Sequence, residues 1–517
     1  MTSDTQRSRI WFLLPVIATV ACGLLAFNNW QVGSYHDDAW YIVTARELAA
    51  GNGFARPWTL PTMPETWLPP GYPLLLSPLV WLFPSSFVPL KLLNLAAAAG
   101  SVALCALYLR RRLGLGLAWF ATLAVAANAW LAKFVGIVMA DVPFLFMIML
   151  ILVLADHVEE RSDRAGRRLY VAIGLVATLS YFVRSWGLAL VAAIVLYYAL
   201  RRRWFAVAAT LVPFAVCAVL WLVRNTAAGA EGLTYGISPT SLPGFMQRTL
   251  SNPLAIALEQ WGATLPLSLV PQLTSAILPR TVASITGWLI VAVIVIGYIG
   301  QVRRRWSLAE VFALAYAPII TIAPITNRYW LPLLPLLVYY LVLGMRSLLA
   351  RVPRLPERWG TRLAAVVLLG LACLGPLRVA GDLRDPPWRH VPDVAIAPAW
   401  IVQHSPPDAL ILANTPRVTY LYSEGRKVLS FPDHGDEIFE TYPNLRSQTL
   451  EDRFLEVVDT FPVSYVLLEP IFTYQSSFSW PTYVEDIVLP VVEREKERFR
   501  LVFSTADRMI RVYQVQR

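Results

Sequence analysis

The sequence predicts a polytopic α-helical membrane protein of about eleven transmembrane helices, followed by a soluble α/β domain. Three observations predict it. The 517 residues are 56% hydrophobic and only 15% charged, against roughly 25% charged in a soluble globular domain. Apolar stretches of about 20 residues, enough to cross roughly 30 Å of hydrocarbon, recur from Ile10 to Val379 and then stop. The arginines between them fall in short clusters at Arg7 and Arg9, Arg110–Arg112, Arg161–Arg168, Arg201–Arg203, Arg303–Arg305 and Arg346–Arg362, the pattern of cytoplasmic loops. The net charge of +10 therefore reports topology. The arginines form no basic face interleaved with stacking aromatics, so nucleic acid is not an expected partner.

Taken in order, spans are expected at 10–29, 87–109, 115–131, 142–156, 169–183, 186–200, 204–223, 283–302, 308–324, 330–349 and 361–379. The first run follows MTSDTQRSR without a small-x-small cleavage site, so it reads as a retained signal anchor. A cytoplasmic N-terminus puts every arginine cluster on the cytoplasmic side, and an odd number of crossings sends the C-terminus out. The expected division is a transmembrane domain over 1–379 with outer-face loops 30–86 and 225–282, and an extracytoplasmic α/β domain over 380–517, in the inner (plasma) membrane. Runs 169–183 and 186–200 are short and interrupted by Arg184, Ser185, Trp186 and Gly187, which allows either a tight hairpin of two crossings or one re-entrant segment. Cys22, Cys105, Cys217 and Cys373 all lie inside spans and lack metal-ligand spacing.

The outer loop opens SYHDDAWYIV. Asp37–Gly51 is expected to form a surface helix with Asp37 at its N-cap and Tyr41, Ile42, Ala45, Leu48 and Ala49 in one apolar stripe. Pro69-Pro70-Gly71 reads as a rigid turn returning the chain to the bilayer. Beyond Val379, strand-like runs at 409–413, 465–468, 499–504 and 509–515 alternate with helix-like stretches at 395–404 and 450–460. No glycine-rich nucleotide loop occurs there.

This topology collects Asp37, Asp38, Lys133, Asp141, Arg184 and Arg328 on the outer face. One N-cap aspartate is ordinary and contributes about 1 kcal/mol. A second adjacent carboxylate near a low-dielectric boundary raises the cost of both, and ionisable groups at membrane depth are functional candidates. Asp141 at a helix start also has a purely structural explanation in the helix dipole. An isolated arginine such as Arg328 could simply snorkel, but three acids on the same side shift that balance. Arg184 and Lys133 are weaker instances of the same case. His36 adjoins the acids, and the tyrosines near span ends fit an interfacial belt.

The loop D-D-A-W-Y-x3-A-x2-L-x2-G-x-G-F, the P-P-G-Y-P return, A-D-V-P-F at the fourth span and N-R-Y-x2-P-x2-P at the tenth resemble bacterial GT-C membrane glycosyltransferases. These are relatives of the protein O-mannosyltransferases and lipid A aminoarabinose transferases, and the likeness covers about residues 10–350. The resemblance implies a GT-C fold and an inverting transfer of a sugar from a polyprenyl-phosphate donor, at the outer face, to a cell-envelope glycolipid, glycan or protein. It implies Asp37 as general base or acceptor-orienting carboxylate, Asp38 as its partner, Asp141 as a second acid near the acceptor or a metal, and Arg328, with Arg184 and Lys133, as donor-phosphate ligands. His36, Tyr41 and Tyr72 would belong to the substrate loop. A divalent cation is possible, and no other cofactor is implied. Two further readings are a lipid-linked oligosaccharide polymerase or ligase, and a non-enzymatic lipid-carrier flippase or transporter. The opening diacidic loop disfavours the first; the absence of repeated halves and of mid-span acids disfavours the second.

Overall fold

The computed structural model describes residues 2–159, 164–228, 265, 280–322, 327–352, 356–385, 393–432, 447, 449–472, 478–479 and 481–517. Most of the predicted outer loop 225–282 lies outside them. The chain forms two compact units. One comprises Met1–Asn28, Thr66–Tyr72 and Val88–Arg384, the other Asn29–Glu65, Pro73–Phe87 and Asp385–Arg517. The segments 29–65 and 73–87, assigned from the sequence to a loop of the membrane part, thus share a unit with the C-terminal residues.

The first unit is helical: α1 (Thr2–Leu25), α4 (Val88–Leu113), α5 (Leu115–Ala126), α6 (Ala129–Val135), α7 (Asp141–Glu159), α8 (Arg164–Val183), α9 (Leu188–Leu200), α10 (Trp204–Ala227), α11 (Arg280–Arg305), α12 (Leu308–Ile322), α13 (Leu334–Leu349) and α14 (Glu357–Arg384). Among the described residues, six helices are long and apolar enough to cross a membrane, or seven if the bent pair α5 and α6 is one span. Other predicted spans fall on α8 and on the shorter apolar helices Leu13–Leu25, Ser185–Leu200 and Leu308–Ile320. The span predicted at 115–131 is broken by 50°, because Asn128 caps a new helix, its side chain accepting from Trp130 N and Leu131 N. Helix α7 and the segment Arg328–Leu349 are the enclosed centre, each 72% buried, whereas α10 is only 17% buried and presents Leu220 and Val223 outward. Helices α11 and α13 touch backbone to backbone: a Cβ added at Gly297 would lie 1.9 Å from Tyr340 O, and one at Gly344 1.9 Å from Val293 O.

Three arginine clusters converge on one end of α7. Arg112 binds both oxygens of Asp156 at 2.5 and 2.7 Å, while Arg201 and Arg305 reach Glu159 at 3.4 and 3.7 Å. Asp141 begins the same helix, and at 1.5 Å per residue the two ends are roughly 27 Å apart, close to the hydrocarbon thickness. Asp141 and these arginines therefore sit at opposite ends of the span.

The second unit holds α2 (Asp37–Ala49), the short strands β1 (Ala55–Arg56), β2 (Met63–Pro64), β6 (Ile471–Phe472) and β7 (Phe478–Ser479), and the helices α15 (Ile396–His404), α16 (Pro416–Tyr422), α17 (Leu450–Thr460) and α18 (Leu489–Arg494). α3 (Gly71–Leu82), a helix directly after the predicted turn, runs into it from the first unit. Its sheet has the order β4-β3-β5-β9-β8, with β3 (Leu410–Ala413), β4 (Val428–Ser430) and β5 (Val463–Leu468) parallel, and β8 (Phe499–Ser504) and β9 (Arg511–Val515) antiparallel. Strands and helices predicted beyond residue 390 all recur; β4, β6, β7, α16 and α18 were not expected. Phe454, Val457, Val466, Val488, Val491 and Val512 pack its interior. The outer-loop segment is tied to the sheet edge, where Val428 N donates to Trp58 O at 2.8 Å and Lys427 Nζ to Pro57 O at 2.5 Å.

Helix α2 is not the one-sided surface helix expected. Every residue from Asp38 to Ala45 is buried, because β1 and α16 pack around it. Nor is Asp37 the N-cap. That position is His36, at φ 57° and ψ −48° with no side-chain cap bond, and Asp37 is the first helical residue.

Candidate functional site

In the membrane unit the candidates are gathered by helix breaks. The α8 helix ends at Val183, Arg184 is extended (φ −152°, ψ 123°), and a single 3-10 turn, Ser185–Gly187, leads into α9. This break aims the Arg184 side chain at the start of α7, where Nη1 meets Asp141 Oδ2 at 2.7 Å. Asp141 is 0% and Arg184 7% exposed, so the pair is an ion pair withdrawn from water. The Asp141 Oδ1 atom, equally buried, has no hydrogen-bond partner among the described residues. Such an oxygen remains able to accept a proton-bearing group. The Arg184 guanidinium lies 5.3 Å from the Tyr329 ring centroid and the Arg328 guanidinium 5.2 Å from it, with Trp186 edge-on at 5.6 Å. Arg328 stands on the 3-10 segment Asn327–Leu333 and is only partly buried. Asp141, Arg184 and Arg328 are thus brought together around Tyr329.

Further contacts support this cluster. Asn94 donates to Ile137 O at 2.7 Å and Met139 O at 3.2 Å, fixing the loop that delivers Asp141, and Tyr72 donates to Asn94 Oδ1 at 2.9 Å. Tyr72 is fully buried, and its hydroxyl braces Asn94. Gly71 meets the end of α8 so closely that a Cβ would fall 2.5 Å from Phe182 C, and any side chain there would displace the strand of backbone carrying Arg184. Lys133 stands over the Trp130 ring at 4.8 Å and within electrostatic reach of Asp382 and Arg378. Among the described residues no three His, Cys, Asp or Glu side chains come together to hold a metal ion.

In the other unit the two aspartates differ sharply. Asp38 is fully buried and accepts from Gly33 N at 2.8 Å and Ala39 N at 3.0 Å, which locks the turn before α2. Asp37 is partly exposed. A three-residue turn centred on His36 sets it in place, closed by Asp37 N donating to Tyr35 O at 2.5 Å. A positive φ at a histidine is an uncommon conformation of the kind that clusters at functional sites. Burial pushes the His36 imidazole down to about 4, the Asp37 charge opposes this and Arg417 reinforces it, so the ring is neutral at pH 7. Tyr41 is buried inside the unit.

Sequence reasoning missed the surroundings of this acid. Trp40 Nε1 donates to buried Glu65 at 2.5 Å, and the Arg417 guanidinium lies 3.6 Å from the Trp40 ring centroid. Trp40 stands in the quoted motif, but no signal in the sequence links it to Arg417, nearly 400 residues away.

No protein-family model and no curated protein sequence matches the chain. Solved structures do. ArnT from Cupriavidus metallidurans in the apo state is 14% identical, with 98% of each chain covered and a TM-score of 0.59. The same protein bound to undecaprenyl phosphate is 14% identical, with 97% of each chain covered and a TM-score of 0.58. The archaeal oligosaccharyltransferase AglB from Archaeoglobus fulgidus, in complex with an inhibitory peptide and a dolichol-phosphate, is 12% identical over 93% of this chain and 75% of its own, with a TM-score of 0.58. At such identities the likeness speaks for the fold, and that fold is the GT-C type whose motifs the outer loop resembles.

Proposed function

We propose that this protein is an integral membrane glycosyltransferase that moves a sugar from a polyprenyl-phosphate donor to a cell-envelope acceptor. The observation that carries the reading is the Tyr329 cluster: a buried Asp141–Arg184 pair beside a partly exposed Arg328, at the end of α7 remote from the arginine-rich end. A departing lipid phosphate gains charge, and a cation held beside it lowers the barrier. Arg328 supplies that cation. Arg184 adds part of its charge, the rest being offset by Asp141, whose Oδ1 is available to orient a hydroxyl.

Asp37 is the general base of this reading. An acceptor hydroxyl is a weak nucleophile until a carboxylate takes or orients its proton. The oxygen then attacks the anomeric carbon, the bond to phosphate breaks with inversion, and the phosphate leaves as the anion on its lipid. Asp38, saturated by backbone amides, positions this acid. With the N-terminus cytoplasmic, the reaction belongs to the outer face. The undecaprenyl phosphate bound by ArnT makes that lipid the probe of choice.

Purified full-length protein in detergent is expected to bind undecaprenyl phosphate, and Arg328→Ala to bind it about tenfold or more weakly, the scale of one lost charge-assisted hydrogen bond. Arg328→Lys should recover only part, because it keeps the charge and loses the planar fork. If lysine restores full affinity, and alanine lowers only the yield, Arg328 is a snorkelling residue and the donor assignment fails.

A further inference from the structure

Helix α12 turns one stripe inward. Ala309, Phe312, Tyr316 and Ile320 recur at helical spacing and are buried, whereas Leu314, on another face, is exposed. The Tyr316 ring packs as a phenylalanine would, its centroid 5.4 Å from that of Phe312 and 6.5 Å from that of Phe144. The hydroxyl sets it apart from the apolar rest of the stripe. Tyr316 is 0% exposed, and its Oη has no hydrogen-bond partner among the described residues. A buried hydroxyl left unbonded costs free energy that a phenylalanine would avoid, so a partner from outside the chain explains its presence.

The surroundings say what that partner is. Phe144 lies three residues along α7 from Asp141, on the same side of the helix, and Tyr316 is within electrostatic reach of Asp141, Arg184 and Tyr329. Asp141 Oδ1 is buried and also lacks a partner among the described residues, so the tyrosine and the carboxylate oxygen do not bond each other. One atom only accepts, and the other has a proton to donate. The Asp141 carboxylate repels an anion at this place and the Arg184 guanidinium repels a cation. A neutral hydroxyl group suits both neighbours: it gives its proton to Asp141 Oδ1, and its oxygen accepts from Tyr316.

We propose that Tyr316 is a specificity-determining residue whose hydroxyl, together with Asp141 Oδ1, holds one hydroxyl group of the sugar to be transferred. The proposal rests on the glycosyl-transfer reading, in which Arg328, against the same Tyr329 ring, takes the phosphate to which that sugar is bonded.

The test titrates full-length protein in detergent, by calorimetry, with undecaprenyl phosphate and with undecaprenyl phosphate carrying glucose, galactose or mannose. Wild type should bind at least one sugar-bearing lipid more tightly than the bare lipid. Tyr316→Phe should bind the bare lipid as wild type does and the preferred sugar-bearing lipid about fivefold more weakly, the scale of one hydrogen bond. Because the ring packing is kept, its melting point without lipid should match or exceed that of wild type. A Tyr316→Phe protein that melts lower without lipid has lost a bond within the chain, and the proposal is overturned. Equal weakening of bare and sugar-bearing lipids, no weakening of either, or a wild type indifferent to the sugar overturns it too. If Arg328→Ala still loses the bare lipid in that case, only the sugar contact fails and the transfer reading stands. A wild type that binds none of the four lipids overturns both.

Discussion

The Asp141–Arg184 pair allows a prediction whose size follows from its burial. With 0% and 7% exposure and 2.7 Å between Arg184 Nη1 and Asp141 Oδ2, both charges have given up their water for each other. At an effective dielectric near 20, unit charges about 4 Å apart attract by roughly 4 kcal/mol. Asp141→Asn keeps the shape and removes the carboxylate charge that pairs with buried Arg184, at a cost of about 3–5 kcal/mol. With roughly 2 °C lost per kcal/mol in a large domain, the midpoint should fall by about 5–10 °C. Adding Arg184→Met removes the other charge of the pair and should recover most of the loss, since a well-packed neutral pair often equals a buried ion pair in stability. Thermal unfolding of wild type, both single variants and the double variant in one detergent closes the cycle. An Asp141→Asn protein that melts within about 1 °C of wild type would refute the reasoning, as would a double variant no more stable than the single.

Asp37→Asn should leave the melting point nearly unchanged while reducing transfer by about 10²–10⁴, the usual contribution of a general base; retention of more than roughly a tenth of the activity removes Asp37 from that role. Asp38→Asn should do the reverse and destabilise by about 1–3 kcal/mol, because its amide cannot accept from both Gly33 N and Ala39 N as the carboxylate does; an unaltered melting curve would contradict its assignment as a positioning residue. Burial raises Glu469 from its usual 4.5 to about 8, the hydrogen bond from Thr415 opposing and Asp393 adding to the rise. Between these values the folded protein keeps a proton that the unfolded chain has lost, so stability should fall as pH rises through that window, by at most about 1.4 kcal/mol per pH unit. Glu469→Gln cannot titrate, and melts from pH 5 to 9 should show a flatter profile for it; identical slopes would place the proton elsewhere.

Composition and spacing alone determined the membrane class, most helix positions and the α/β pattern after residue 390. These depend on local signals, namely apolar length, the arginine clusters and the alternation of strand residues. The motif around residues 34–43 also drew attention to the two acids, but not to how their surroundings differ. That one aspartate is buried and saturated while its neighbour is partly exposed depends on a left-handed turn at His36 and on the chain packed around α2. Likewise the break after Val183 was legible from Arg184-Ser185-Trp186-Gly187, whereas its consequence, the aiming of Arg184 at Asp141 43 residues earlier, was not. Arg417 and Glu469 carried no sequence signal at all, because a single arginine or glutamate in a soluble stretch is ordinarily solvated. Only the pairing of β3 with β5, and the seating of α16 on α2, give those two residues a place, since contacts between remote segments are set by which faces bury each other and not by local pattern.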